Sequence, residues 1–417
     1  MTYDRLPLKV RVRIAPVLEP AYFTLKRIFS IASQFRLSVY QFQGERRWGN
    51  GTLVTLLFGE GRGMLPYILN LLYSEEPTRK RLGNAFIFKI KSLIGSDDHA
   101  VDLVLIATDQ IFSRFLPRLG FIVIPEWITF KLDLQKPLLT SNRHCSLYSN
   151  IKKIHKHKYR FEMTKDPERF RYFYQQMYLP YKGKKYGETP SAGVLRNLER
   201  IFERGGLLLV KRDNEYIAGF LVQMDDKKIY ARASGVKDGN IKYVNEGAVA
   251  AGYYFIVLWA KNNGYKCVDF GHCRPFINDG LFFHKKTWGM TIEKSNRIDF
   301  AARAVFGIRA CHHQQVLLDF LAKNPLIVID RGRLKGLLII HQEHALAPGE
   351  VQSFLRTHYV PGMDGFVMAS SHGFTKEAEE FASSQSPQEL YLKVLGPDNS
   401  CGSISSALLL GNGVNDL

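Results

Sequence analysis

Residues 269–289 read DFGHCRPFINDGLFFHKKTWG. The preceding residues up to Phe270 are mainly apolar, which predicts a short buried strand over Cys267–Phe270, and Gly271 lets the chain turn away from it. Polar side chains follow closely, among them Arg274 and Lys285. Functional groups are often carried by loops at the ends of core elements. The stretch therefore predicts a functional site.

The side chains of this stretch suggest anion binding and proton transfer. Pro275 restricts the backbone beside Arg274, whose guanidinium suits a phosphate or a carboxylate. The ammonium of Lys285 is a mobile charge for an oxyanion or a diphosphate, and Asp269 and His272 are the candidates for a base. Two structural alternatives stay open, namely Lys285 as a solvated surface charge and Arg274 as the ion-pair partner of a nearby aspartate.

Other chemistries fit the same stretch poorly. His272 and Cys273 are adjacent, whereas zinc ligands are spaced along the chain, so we predict no metal site. Cys273 as a nucleophile beside His272 is an alternative, but neighbouring side chains on an extended chain point to opposite sides.

The sequence before this stretch predicts a regular series of elements. Asp166-Pro167 begins an amphipathic helix. Turn-forming residues separate three apolar runs, which predicts an antiparallel meander of strands over Leu207–Lys211, Tyr216–Met224 and Lys228–Ser234. Glu246–Asn263 then reads as an apolar, buried helix. This order of elements is the one expected of a GNAT-type acyltransferase domain.

The motif at the end of this series resembles the closing motif of Fem-type aminoacyltransferases and of the broader FemAB-like GNAT acyltransferases. That motif has a glycine, a hydrophobic pair and a lysine, followed after two residues by an aromatic residue and a glycine. Gly280, Leu281, Lys285, Trp288 and Gly289 fall on its positions. The resemblance covers about residues 130–292 well, 1–129 faintly and 301–417 not at all.

The resemblance implies an α/β (α+β) fold of tandem GNAT-like halves, each with a mixed, largely antiparallel sheet. We expect a degenerate half at 1–136 and an acyltransferase half at 137–300. Strand-like and helix-like runs alternate in 301–417, which predicts a small α/β appendage with its own core. Residues 1–300 are then expected to fold and bind ligand without it. The rival is that the apolar face of Val316–Leu321 packs onto the body.

The donor expected from the resemblance is acyl-CoA or an aminoacyl-tRNA. GNAT enzymes hold the CoA pyrophosphate on a glycine-containing turn at a helix N-terminus. The corresponding stretch, Lys242–Ala248, keeps only Gly247 and Ala248 of that motif. These two residues are the predicted donor-binding positions. The departure weakens acyl-CoA and favours aminoacyl-tRNA or another acyl carrier.

Further residues are predicted to bind substrate. Lys286 and Trp288 flank the motif lysine. The basic run Ser149–Arg160 contains Lys152 and Lys153, for which a solvated helix face is the alternative. Tyr178 belongs to a group of tyrosines that are core or cleft lining, of which one or two could stack on a substrate ring.

The composition sets outer limits on function. The 417 residues contain 57 Lys+Arg and 39 Asp+Glu, a formal charge of +18, and residues 1–300 hold 48 of the basic and 28 of the acidic residues. This charge favours polyanionic or phosphorylated partners, including tRNA, a nucleotide-linked substrate or an anionic lipid surface, although a generally basic proteome is an alternative. Five scattered cysteines, no signal peptide and no apolar run of membrane-spanning length predict a cytoplasmic protein without an integral membrane span.

Two functions are therefore in competition. The first is N-acyl or aminoacyl transfer to an amine of a phosphorylated, nucleotide-linked or glycan-linked acceptor, as in cell-envelope or polysaccharide biosynthesis. In that case Lys285→Ala is expected to abolish turnover without unfolding the chain. The second is a non-catalytic GNAT-fold module that binds RNA or an anionic glycan.

Overall fold

The structure is a computed structural model that describes residues 34–60, 63–94, 101–136, 146–186, 192–295, 304–311, 314–384 and 390–395. The chain divides into two compact units. Unit 1 consists of residues 1–128, 274–279 and 294–417, and unit 2 of residues 129–273 and 280–293. Both units are therefore built from segments that are distant in sequence.

Within these described residues, seventeen strands form three sheets. In chain order the strands are β1 (Arg36–Glu45), β2 (Thr52–Phe58), β3 (Thr78–Phe86), β4 (Leu103–Asp109), β5 (Ile122–Pro125), β6 (Ile128–Asp133), β7 (Arg160–Thr164), β8 (Gly205–Arg212), β9 (Glu215–Asp225), β10 (Lys228–Val236), β11 (Cys267–Cys273), β12 (Thr291–Lys294), β13 (Ala304–Ala310), β14 (Leu326–Asp330), β15 (Arg333–Ile340), β16 (Gly365–Ser370) and β17 (Leu390–Val394).

The helices are identified by their residues. The α-helices are Leu65–Leu72, Ile90–Ile94, Ser146–Lys156, Pro167–Tyr172, Leu179–Tyr186, Ala192–Glu203, Ile241–Asn245, Ala248–Asn262, Gly280–Thr287, Gln314–Lys323, Pro348–His358 and Lys376–Ser384. A π-helical turn, Phe173–Tyr178, joins two of them, and short 3-10 helices lie at Ile87–Lys89, Gln110–Phe112, Leu116–Leu119 and Lys237–Gly239. None of the helices among the described residues is long and apolar enough to cross a membrane.

Unit 1 contains a mixed six-stranded sheet in the order β3-β1-β2-β4-β13-β5. Strands β1 and β2 are antiparallel, β2 and β4 are parallel, and β13 is antiparallel to both β4 and β5. A second sheet has the order β14-β15-β16-β17. Strands β14 and β15 are antiparallel, whereas β15 is parallel to β16 and β16 is parallel to β17.

One apolar core serves both sheets of unit 1. It joins Leu57 of β2 and Leu105 of β4 to Phe320 of the helix Gln314–Lys323 and to Leu337 of β15. Burial of these side chains is a main source of folding free energy, at roughly 25 cal/mol for each Å² of apolar surface removed from water. The two sheets therefore form one cooperative body.

This core corrects the predicted independence of residues 301–417. Strand β13 lies between β4 and β5, so it completes the sheet of the N-terminal region. Val316, Leu317, Phe320 and Leu321 are each at most 3% exposed and belong to the shared core. The apolar helix face packs onto the rest of unit 1, as the rival prediction stated.

Unit 2 contains a seven-stranded sheet in the order β12-β6-β11-β10-β9-β8-β7. Strands β7 to β10 are antiparallel neighbours, which confirms the predicted meander, and β11 returns parallel to β10 through the helix Ala248–Asn262. A Cβ atom at Gly252 would lie 1.8 Å from the ring of Phe220. The helix therefore approaches β9 at a position where only glycine fits.

The predicted mixed α/β fold with a largely antiparallel sheet in each half is confirmed, but its boundaries differ. Residues 129–136 were predicted with the first half, yet β6 lies beside β11 in the sheet of unit 2. The predicted N-cap is present, because the Asp166 carboxylate accepts a hydrogen bond from the Glu168 N–H at 2.9 Å. The helix then continues through a π-helical turn that the spacing did not predict.

Candidate functional site

The parallel strands β10 and β11 part in the middle of unit 2. Their register runs from Lys228 opposite Cys267 to Tyr230 opposite Asp269. Beyond this point β10 stays paired with β9, with an irregularity between Ala231 and Ala233. In open α/β sheets, ligands bind at the carboxyl ends of parallel strands where neighbours diverge. The divergence marks the candidate site.

Asp269 lies where the two strands separate. Its carboxylate is 8% exposed and accepts a hydrogen bond from the Gly271 N–H at 2.7 Å. Burial raises the pKa of Asp269, and this backbone hydrogen bond and the charges of Lys131 and His272 oppose the rise. A carboxyl group that holds its proton to higher pH than usual is suited to proton transfer.

His272 follows on the same strand. Its Nδ1 lies 3.3 Å from the hydroxyl oxygen of Thr129 on β6, and either atom is the donor, depending on the tautomer. This contact orients the imidazole, and Asp269 is close enough for the two groups to interact electrostatically. The structure thus brings the two predicted bases together.

Lys285 is part of the same group but is not a surface charge. Its side chain is 2% exposed, and Nζ donates hydrogen bonds to the carbonyl oxygens of Gly271 at 3.1 Å and of His272 at 2.9 Å. The ammonium also lies 5.5 Å from the ring centroid of Phe130. The alternative of a solvated charge is excluded. In this arrangement Lys285 fixes the backbone that carries His272.

The two residues that flank Lys285 have different surroundings. Lys286 is half-buried, and burial lowers its pKa. Trp288 is 1% exposed and packs against Tyr253, with ring centroids 5.9 Å apart. Trp288 therefore lies in the core behind the site. Direct substrate contact by either residue stays a prediction.

Arg274 belongs to unit 1, because the chain passes from unit 2 to unit 1 between Cys273 and Arg274. Its guanidinium carbon lies 4.3 Å from the ring centroid of Tyr67 and 5.8 Å from that of Trp127. The buried Nε has no hydrogen-bond partner within the described residues. Aromatic faces therefore hold the guanidinium, and its predicted role in substrate binding stays a prediction.

The predicted donor-binding residues lie at the N-terminus of the helix Ala248–Asn262. Gly247 has a φ of +92° and is its N-cap, and in the described chain no side chain caps this end. Lys153 packs against Gly247, and its Nζ donates to the Asn245 carbonyl oxygen at 3.0 Å. Backbone N–H groups and a nearby ammonium suit an anion. Gly247, Ala248 and Lys153 are thus brought together.

Lys152 and Tyr178 are placed elsewhere in unit 2. The exposed Lys152 has its Nζ 4.8 Å from the ring centroid of Tyr148, on the helix that also carries Lys153. Tyr178 ends the π-helical turn and stacks with Tyr174 at a centroid distance of 5.9 Å. This turn packs tightly on β10, because a Cβ atom at Gly235 would lie 2.6 Å from the Tyr178 nitrogen. π-helical turns often occur at functional sites.

One feature of the site, Thr129, and one buried acid of unit 1, Glu126, were missed from the sequence. Thr129, which contacts His272, lies in an ordinary strand pattern and gave no signal. Glu126 is the single acidic residue in the apolar run FIVIPEWITF. An isolated acid in such a run could have indicated a special role from the sequence alone. Its carboxyl is 8% exposed and accepts hydrogen bonds from the N–H groups of Gly63 and Met64, and burial raises its pKa to about 7.

No group of three or more His, Cys, Asp or Glu residues in the described ranges is placed to hold a metal ion.

Comparisons with known proteins give matches among solved structures only. No family model matches the sequence, and no curated protein matches it. The structure is similar to that of L-PGS from Bacillus licheniformis, with 12% identity, 68% of this chain and 85% of that chain covered, and a TM-score of 0.35. It is also similar to FemX, with 15% identity, 65% and 84% covered, and a TM-score of 0.34.

A third similar structure is a GCN5-related N-acetyltransferase from Sphaerobacter thermophilus, with 12% identity, 66% and 76% covered, and a TM-score of 0.30. These solved structures include the Fem-type and GCN5-related groups that the sequence resembles. Because every TM-score is below 0.5, the assignment of the fold rests on the strand order and connections described above.

Proposed function

We propose that the chain is an acyltransferase or aminoacyltransferase that acts on an amine. The observation that carries this proposal is the divergence of β10 and β11 with Asp269 and His272 beside it and Lys285 bound to the backbone between them. Parallel strands that separate after an antiparallel meander and a crossover helix match the GNAT-like order of elements. The same edge supplies groups for proton transfer.

The reaction in this proposal is direct attack by the amine nitrogen on the activated carbonyl carbon of the donor. The new C–N bond forms while the C–O or C–S bond to the carrier breaks, and the carrier leaves with a proton. His272 or Asp269 takes the proton that the amine loses and passes it to the departing oxygen or sulfur atom of the carrier. Positioning and stabilisation of the oxyanion supply most of the acceleration.

Lys285 acts in this scheme as a positioning residue. Its ammonium donates hydrogen bonds to two backbone carbonyl oxygens, those of Gly271 and His272. In this scheme these bonds hold its positive charge close to the reacting centre. Removing it would take away two hydrogen bonds from a charged donor to partly buried carbonyl oxygens, at a cost of about 1.5–3 kcal/mol each. Loss of activity in Lys285→Ala would therefore be mixed with loss of stability, in contrast to the expectation from sequence.

The donor in this proposal binds at the helix N-terminus of Gly247, with Lys153 beside it. The glycine motif for the CoA pyrophosphate is incomplete, because only Gly247 and Ala248 of it are present. This favours an aminoacyl-tRNA or another acyl carrier over acyl-CoA as the donor. The net charge of +18 supports a phosphorylated, nucleotide-linked or glycan-linked acceptor. We also propose a cytoplasmic site of action in envelope or polysaccharide biosynthesis.

The test uses His272, which is accessible enough to replace without opening the core. Purified full-length protein is incubated with acyl-CoAs or aminoacyl-tRNAs and a panel of amine-bearing nucleotide sugars, and products are detected by mass spectrometry. We expect His272→Gln to lower kcat by roughly 10²–10⁴-fold. Its melting temperature should stay close to that of the wild type.

The matched control is His372→Gln, an exposed histidine of unit 1. It should keep full turnover. Equal turnover by His272→Gln and the wild type would refute the proposed site. Saturable binding of RNA or an anionic glycan, with no product under any condition, would establish the alternative of a non-catalytic binding module.

A further inference from the structure

Unit 1 carries a group of phenylalanine rings that extends from the core to the surface. Phe35 lies 5.9 Å from Phe88 and 5.7 Å from Phe112, and Phe88 lies 5.9 Å from Phe115, all between ring centroids. We call Phe35, Phe88, Phe112 and Phe115 the phenylalanine platform. Its rings come from three separate segments, so the platform is made by the fold.

Hydrogen bonds hold these three segments together. The Ile87 N–H donates to the Phe35 carbonyl oxygen at 3.0 Å. The amide oxygen of Gln34 accepts from the Thr108 hydroxyl at 2.9 Å and from the Asp109 N–H at 2.5 Å. The Asp109 carboxylate in turn caps the turn that begins at Gln110. The platform is therefore a fixed surface with little ordering entropy left to lose on binding.

The outer part of the platform is exposed. Phe88 is 63% and Phe35 is 40% exposed, and the aliphatic Ile111 and Leu93, from the same segments, are 48% and 45% exposed. Single exposed apolar side chains are common on proteins, but the exposed rings of Phe35 and Phe88 contact each other, and a contiguous exposed apolar group marks an interaction site.

Basic residues predominate in the same segments. Residues 78–94 contain five basic and no acidic residues, and residues 110–121 contain two basic and none acidic. Arg36, Lys89, Lys91 and Arg114 are exposed. A surface that combines protruding apolar side chains with Lys and Arg fits a partner that has an apolar interior beneath a negative face.

We propose that the phenylalanine platform docks unit 1 on an anionic phospholipid surface. Phe88, Ile111 and Leu93 enter the boundary between head groups and acyl chains, and Lys89, Lys91 and Arg114 contact the head-group phosphates. This inference does not depend on the proposed transferase activity.

The kind of apolar side chain distinguishes a lipid surface from a nucleic acid. Single-stranded RNA is bound by aromatic faces that stack on bases. The exposed group contains Ile111 and Leu93, which have no ring to stack on a base, whereas every member gains free energy in a hydrocarbon environment. The observations therefore favour lipid.

The experiment is co-sedimentation of the full-length protein with vesicles. One set contains equal parts of phosphatidylglycerol and phosphatidylcholine, and the other contains phosphatidylcholine alone. We expect binding to the first set and little binding to the second. Phe88→Ser should weaken binding at least about tenfold, since burial of a phenylalanine side chain contributes about 1.5–3 kcal/mol. Lys91→Glu should weaken it more than about fivefold, because each basic residue near an anionic surface contributes about 1 kcal/mol.

The matched control is Tyr359→Ser, which removes an aromatic ring of 49% exposure outside the platform. It should bind as the wild type does, and all variants should keep the wild-type melting temperature. Equal binding by Phe88→Ser and the wild type would overturn the proposal. So would binding of an RNA oligomer, but not of vesicles, in a manner that depends on Phe88, or a dimer in light scattering that Phe88→Ser converts to a monomer.

Discussion

In each unit, one strand of a parallel pair is followed along the chain by a glycine with a positive φ and then by a helix. The starts of these two helices have different surroundings. In unit 1, β2 is parallel to β4, Gly59 has a φ of +99°, and the helix Leu65–Leu72 follows. In unit 2, β10 is parallel to β11, Gly247 has a φ of +92°, and the helix Ala248–Asn262 follows.

The difference lies in what meets the free N–H groups at each helix start. In unit 1 the N–H groups of Gly63 and Met64 donate to the carboxyl of Glu126. The fit is close, because a Cβ atom at Gly63 would lie 2.0 Å from a carboxyl oxygen of Glu126. In unit 2 no side chain of the described residues caps the helix, and Lys153 lies against Gly247.

The same local structure therefore meets different neighbours in the two units. The N-terminus of a helix attracts a negative group. In unit 1 the carboxyl of Glu126 meets these N–H groups and so links distant segments. In unit 2 the proposed donor site uses the uncapped helix N-terminus. That the first half is degenerate and that the second half binds the donor both stay predictions.

The largest expected effect comes from cutting the chain after residue 300. Unit 1 would lose β13 from between β4 and β5, together with the buried helix Gln314–Lys323. We expect residues 1–300 to be insoluble or to lack a cooperative unfolding transition for unit 1. Size-exclusion chromatography and urea unfolding test this directly.

A chain that ends at Leu395 keeps every element that the structure describes and serves as the matched control. It should remain soluble and unfold cooperatively. A soluble 1–300 chain with the full set of transitions would show that the sheet of unit 1 can close without β13. The boundary between the two units would then lie at a different place in the chain.

An intermediate effect is expected from the pH dependence of Glu126. Burial raises its pKa from 4.5 to about 7, so the folded state holds this proton over a range in which the unfolded state has lost it. This contribution to stability is complete below about pH 4.5 and is lost as the pH rises to about 7. The total is roughly 3 kcal/mol.

Glu126→Gln removes that titration while keeping an oxygen for the N–H groups of Gly63 and Met64. The variant should match the wild type near pH 4.5 and exceed it by up to about 3 kcal/mol at pH 8, as measured by urea unfolding. Glu45→Gln, on the exposed end of β1, is the control and should show no such difference. A difference between Glu126→Gln and the wild type that does not change with pH would refute the assignment.

Local signals in the sequence were sufficient for one helix start and for the meander of unit 2. Asp166-Pro167 begins a helix, and turn residues separate the strands of the meander, since both depend on neighbours within a few positions. The position of β13 could not be predicted in the same way. Val305 lies opposite both Thr108 and Pro125, which are 197 and 180 residues away in sequence, and an apolar strand carries no mark of its partner.

The candidate site shows the same limit. The sequence identified Asp269, His272 and Lys285 as polar residues after a strand, and the structure brings them together. It did not indicate that Lys285 is buried, because lysine is rarely buried without partners and its partners here are backbone carbonyls. Nor did it separate Arg274 from this group, because the chain leaves unit 2 at a bond that nothing in the sequence marks.

The smallest expected effect concerns the helix start that unit 2 leaves open. Lys153 and Lys152 are adjacent, so replacing either with alanine changes the net charge equally, but only Lys153 lies against Gly247. With inorganic pyrophosphate as the probe in isothermal titration calorimetry, Lys153→Ala should weaken binding about fivefold, since the attraction between two unit charges about 4 Å apart in water contributes about 1 kcal/mol. Lys152→Ala should weaken it less than about twofold, because a solvated charge is largely screened. Equal losses in the two variants would mean that the probe responds to the overall positive field and not to this helix, and the contrast between the two units would then lose its functional meaning.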